Sequence, residues 1–158
     1  MKRFVKLGLL AACSVAVVTT VVAQDASKPT PEQTAVKSRQ GLLDTTSWAM
    51  GPLGGMLKNQ VPFDAALVEK NATRIAQLGA MIPDMFSTDT RKATNVTTKA
   101  REGIWAQKAD FDAKASDLVK AATEAADAAK GGDKAATLKA LGAVGKSCGS
   151  CHDSFRDK

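Results

Sequence analysis

Five residues near the end of this chain carry most of its chemical potential. Cys148-Gly149-Ser150-Cys151-His152 sets two thiols three positions apart, followed at once by the only histidine in 158 residues. On a helix, positions i, i+3 and i+4 lie on one face. C-x-x-C-H is the haem attachment sequence. Two thiols in that register can add to the two vinyl groups of one haem while the next imidazole reaches its iron. Gly149 and Ser150 are small and keep out of the way. Three other readings remain open for the same residues. A structural zinc site wants about four N or S ligands, and this chain offers three candidates. A redox dithiol of thioredoxin type wants a βαβ setting. A plain disulfide or free thiol pair is the blandest of the three. A single histidine excludes any site that needs two imidazoles.

The composition says which elements must present the motif. Aromatic residues are 4% of the chain, Tyr is absent, and Ala and Lys are the commonest residues, with Leu and Asp also plentiful, in a sequence that is 44% hydrophobic. This argues against a sandwich or barrel and for an all-α fold. Four helical stretches emerge from the apolar spacing. The first runs from about Pro31 towards Met50, with Val36, Leu42, Leu43, Thr46 and Met50 on one face. Gly51-Pro52 weakens or kinks the helix beyond that point. The second starts after Asp64, a plausible cap, and carries Ala65, Val68, Ala72, Ile75, Leu78, Gly79 and Ile82 as its stripe, up to Pro83 or a little beyond. Residues 87–102 are polar and aperiodic and read as a long connection. The third helix covers about Gly103 to Ala129, with Ile104, Phe111, Ala115, Leu118, Ala122 and Ala126 inward, and Gly131-Gly132 stops it. Asp133 caps the fourth, whose apolar positions are Ala136, Leu138, Leu141, Val144, Cys148, Cys151 and Phe155. Four such rods make an antiparallel four-helix bundle. Trp48 and Trp105 read as packing residues.

The N-terminus reads as an export signal. Lys2, Arg3 and Lys6 precede a charge-free run from Leu7 to Val22, and Val21-Val22-Ala23 offers small residues for cleavage after Ala23. The run is short against the roughly 20 residues of a membrane span. A lipoprotein box ending at Cys13 is the lesser alternative. Residues 1–23 are thus expected to be cut away, leaving 24–158 as the bundle. The leader holds three of the 22 bases and no acid, so the net charge falls from +6 to +3. That weak, mixed charge makes no case for nucleic acid, and the mature form is expected to have no membrane segment.

A haem motif at the extreme C-terminus of an exported four-helix chain resembles the cytochrome c prime family, the class II c-type cytochromes. The resemblance covers essentially all of 28–158. It is carried by Arg39-Gln40 followed by Leu43, by Gln60-Val61-Pro62-Phe63-Asp64-Ala65-Ala66, by Phe86, by Gly103-Ile104-Trp105, and by the run from Cys148 to Arg156. It implies one covalently attached haem c per chain. Cys148 and Cys151 would be the thioether anchors and His152 the proximal iron ligand. Arg39 and Gln40 would contact the haem edge and propionates. Leu43 would sit over the open face of the iron with Phe86 beside it, and Arg156 would flank the imidazole. Thr98 and Lys99 would cover another haem edge. Plainer readings stand beside these: a solvated Arg39, core roles for Leu43 and Phe86, and an Arg156 that complements the helix dipole.

The sixth iron position decides the function. Methionine-ligated relatives of this family place Met where this chain has Leu43, and Leu cannot coordinate. Met50 lies about 10.5 Å further along the helix, and Met81 and Met85 flank Phe86. The resemblance therefore implies a periplasmic mono-haem cytochrome with five-coordinate, high-spin iron. It would transfer electrons to redox partner proteins, bind NO or CO, or do both, typically as a homodimer. No catalytic donor is expected beside the iron, so it is not expected to be an enzyme. The alternative is a six-coordinate, low-spin His/Met electron carrier of the same fold.

Overall fold

Thr30-Pro31-Glu32-Gln33 contains a complete set of helix-start signals, and the first helix begins there. In the computed structural model, which describes residues 28–158, α1 spans Pro31–Leu57. The Thr30 hydroxyl accepts from the Gln33 N–H at 3.2 Å, and the Gln33 side chain accepts from the Thr30 N–H at 2.9 Å. This reciprocal box satisfies two donors that a helix start leaves unpaired. The leader expected at 1–23, with Cys13, lies outside the described residues.

The expected weakening at Gly51-Pro52 does not end α1, which runs through to Leu57. Pro52 is exposed while Leu53 and Met56 are buried. The missing N–H thus falls on the outer side, where solvent can satisfy the freed carbonyl. The helix stops at Leu57, and Asn59 two positions beyond has a left-handed φ of 54°. Around it the Lys58 and Gln60 N–H groups donate to Gly54 and Gly55 carbonyls at 3.2 and 2.9 Å. Asn is one of the few residues that tolerates that conformation at a helix end.

Asp64 caps α2 (Ala65–Met85), accepting from the Leu67 N–H at 3.0 Å. The expected single third helix is instead two: α3 (Gly103–Ala106) and α4 (Lys108–Lys130). The break is at Gln107, with φ −122° and ψ 44°. No Pro or Gly causes it. The indole of Trp105 donates to the Phe86 carbonyl at 3.2 Å, and Ile104 is buried. The first of these ties fixes α3 to the C-terminal end of α2, just ahead of the break. Gly132, at φ 75°, turns the chain. Asp133 then caps α5 (Lys134–Phe155), accepting from Ala135 and Ala136 N–H at 2.8 and 3.1 Å.

The four long helices form the expected all-α antiparallel four-helix bundle. α2 packs on α4, α4 on α5 and α1 on α2, while α1 also meets α5. Small residues permit the close approach of α2 and α4: a Cβ on Gly79 would lie 3.2 Å from Val119 Cγ2. The core stripe of α1 is Val36, Arg39, Leu42, Ala49, Leu53 and Met56. Leu43, expected on the inward face, is therefore off the stripe and 38% exposed. Trp48, expected to pack, is 65% exposed for the same reason, with the Arg74 guanidinium 5.4 Å over its ring. On α5 the inward position expected of Ala136 is taken by Thr137, whose hydroxyl is satisfied by the Asp133 carbonyl. No helix among the described residues is long and apolar enough to cross a membrane.

Candidate haem-attachment site

The thiols lie on the inner stripe of α5. Leu141, Val144, Cys148, Cys151 and Phe155 recur at spacings of three and four, and both cysteines are half-buried against the core. They are free thiols. Burial pushes both thiols above their ordinary range, an effect that nearby Lys114 partly offsets at Cys151. His152 follows at the bundle surface. Partial burial, then the charge of Arg156, lowers its pKa, with Asp153 opposing. Both influences favour the neutral imidazole, the form that binds metal.

The last turn of α5 is held from outside. The Arg101 guanidinium donates to the Asp153 and Ser154 carbonyls at 2.9 and 3.3 Å and to Asp157 Oδ1 at 3.0 Å. The Arg101 N–H donates to the Phe155 carbonyl, and the Asp157 N–H to that of Lys99. A helix end leaves several carbonyls unpaired, and these contacts supply donors to three of them. Arg156, exposed, pairs its backbone with Ala100. The connection at 87–102 is therefore a strap tied to the helix end that bears the motif. Sequence reasoning missed Arg101, and a polar loop without period gives no signal for it.

Arg39 anchors the other end of the strap. It is 1% exposed, and its Nη1 donates to Thr90 Oγ1 at 2.8 Å and its Nη2 to the Thr88 carbonyl at 3.1 Å. The guanidinium carbon lies 4.5 Å from the centroid of Phe86. Its Nε is buried without an acceptor, and among the described residues no carboxylate pairs with it. Burial accordingly lowers its pKa. A buried cation without a counter-ion costs several kcal/mol, so this pocket favours an incoming anion such as a carboxylate.

Gln40 is exposed and donates from Nε2 to the Thr97 carbonyl at 2.8 Å. Phe86 is buried beneath Arg39 in an aromatic series with Phe111 at 4.8 Å, which in turn meets Phe155 at 5.3 Å. Trp105 stands half-buried at 6.3 Å from Phe86. Thr98 accepts from the Ala100 N–H, shaping the strap. A Cβ on Gly145 or Gly149, beside the motif, would meet no neighbour within 4 Å.

The donor set suits a haem: two thiols and an imidazole at the right spacing, open space over the glycines, and an unpaired cation. Among the described residues, no group of three His, Cys, Asp or Glu is placed to hold a metal ion by itself. Residues 34–156 match the family model described as cytochrome c′. The chain belongs to the cytochrome c prime family. Its cofactor is accordingly haem c, one per chain and covalently attached.

Likenesses to individual proteins agree with that membership. Cytochrome c-554 of Cereibacter sphaeroides is 32% identical over 124 residues, 78% of this chain and 92% of that protein. The cytochrome c prime structure from Shewanella frigidimarina superposes with a TM-score of 0.73 at 32% identity, covering 80% of this chain and 97% of the other. A nitric oxide complex of a cytochrome c prime variant from Alcaligenes xylosoxidans is similar too, with TM-score 0.68 and 30% identity over 80% of this chain and 97% of that one.

Proposed function

We propose that this cytochrome c prime is an exported, periplasmic protein with five-coordinate, high-spin iron that transfers single electrons and binds NO or CO. Haem would supply one-electron cycling between ferrous and ferric iron and a binding site for a small gas. Cys148 and Cys151 would hold it through thioethers, and His152, favoured as the neutral imidazole by its surroundings, would be the iron ligand. Arg156 lowers the basicity of that imidazole. Arg39 meets the propionates with its unpaired donor, and Gln40 secures the adjoining strap.

The observation that carries the reading is Leu43, one helical turn beyond Arg39 and free of core packing. A branched apolar side chain there brings no donor atom, so beside a haem it would disfavour water and anions and admit small neutral molecules. Of the methionines, Met56 is buried in the core. The likeness to a protein studied as a nitric oxide complex supports gas binding, and the leader read at 1–23 supports export.

The test is absorption and EPR spectroscopy of the haem-loaded protein in both redox states, with and without NO. High-spin ferric iron and a ferrous form that takes up NO are the expected results. Low-spin ferric iron indifferent to NO would replace this reading with the His/Met carrier, Met81 or Met85 being the ligand.

A further inference from the structure

Thr90 lies in the strap, belongs to no motif, and yet is only 4% exposed. Its hydroxyl accepts from Arg39 across 51 positions of sequence. With the Thr88 carbonyl on Nη2, the Phe86 ring at 4.5 Å and the Trp105 ring at 5.5 Å, four groups fix one orientation of the guanidinium. In that orientation Nε is the one guanidinium nitrogen without a partner. We propose that Thr90 is a positioning residue that aims Arg39 at a haem propionate and thereby helps to set the reduction potential. The inference rests on the placement of Arg39 at the haem under the proposed function.

The chemistry of the contact explains the choice of residue. A hydroxyl accepts one bond from Nη1 without neutralising the cation, so the charge remains available to the propionate. A carboxylate at position 90 would compete for it. A fixed cation near the iron favours the ferrous form, whose charge is one unit less positive. With Nη1 unsatisfied in a buried site, the guanidinium would turn towards another acceptor. The strap does not depend on Thr90 for its attachment, because Gln40 holds it at Thr97 and Arg101 holds it to the end of α5. A change at Thr90 is therefore expected to act on Arg39 first.

The experiment is spectroelectrochemical measurement of the potential in haem-loaded wild type, Thr90→Val, Thr90→Ser and Arg39→Gln, with ferric spectra and melting curves of each. Arg39→Gln should lower the potential. Thr90→Val should lower it in the same direction by less, and Thr90→Ser should restore the wild-type value. If Thr90→Val loads no haem, Thr90→Ala is read in its place with the same expectation. A wild-type potential in Thr90→Val, with Arg39→Gln lowered, would overturn the role of Thr90 and leave Arg39 at the haem. A shift in Thr90→Ser as large as in Thr90→Val would also overturn it, since the hydroxyl would not be the cause. A wild-type potential in Arg39→Gln would overturn the placement of Arg39 and the inference with it.

Discussion

Leu43 and Arg39 stand one turn apart on α1 and have opposite relations to water. The cation is buried and the leucine is 38% exposed. This inversion of the usual order marks the stretch as shaped by something other than core packing. Under the proposed function, Leu43 is the residue on which the coordination state turns. Leu43→Met should bring a thioether to the iron, converting most of the ferric signal from high-spin to low-spin in EPR and slowing NO uptake by the ferrous form. At the strap, Asp89 accepts from both the Arg91 side chain and its N–H, which lowers its pKa from 3.8 to about 2. The folded value lies below the unfolded one, so the contact contributes above the ordinary carboxylate range and is lost as pH falls towards 2. The pair is on the surface, where such contacts matter little to global stability. Carboxyl-carbon NMR should find Asp89 titrating near 2, and Arg91→Ala should return it towards 3.8.

At the scale of elements, α1, α2 and α5 each owe their start to a local cap, and the long helices owe their place to stripes of small or apolar residues. Asp133 accepts two N–H bonds at the start of α5, the helix that carries the motif. Asp133→Ala should cost about 1 kcal/mol in urea unfolding, lowering the midpoint without changing the slope. The contact of α2 with α4 depends on the absence of a side chain at Gly79, where Val119 Cγ2 already lies 3.2 Å from a would-be Cβ. Gly79→Leu should cost about 1–3 kcal/mol by overpacking, read in the same measurement. Caps and stripes involve residues two to four positions apart, which is why the helices and the inward faces of α2 and α4 are legible in the chain's own spacing. The break at Gln107 is not legible, because its cause is the bond from Trp105 to the carbonyl of Phe86, 19 positions earlier.

Across the whole molecule, the strap connects the two ends of the candidate site. It receives Arg39 and Gln40 of α1 at Thr88, Thr90 and Thr97, and it delivers Arg101 to the end of α5. Arg101→Ala should loosen this join and raise tryptic cleavage at Arg91, Lys92 and Lys99 several-fold, while the circular dichroism of the helices stays unchanged. Local opening of a segment held by few contacts governs such cleavage. The amino-acid sequence by itself determined the helical class, the boundaries set by caps, and the thiols and imidazole within one turn or so of one helix, because each depends on neighbours within one or two helical turns. It also singled out Arg39 and Leu43 through resemblance to a family. Only the tertiary structure decided that Arg39 is buried without a counter-ion, that Leu43 and Trp48 face outward, that Thr90 holds Arg39 and that Arg101 holds the end of α5. The contacts of Arg39 and Arg101 reach about 50 positions between a helix and an aperiodic polar strap, and no spacing within either segment encodes them.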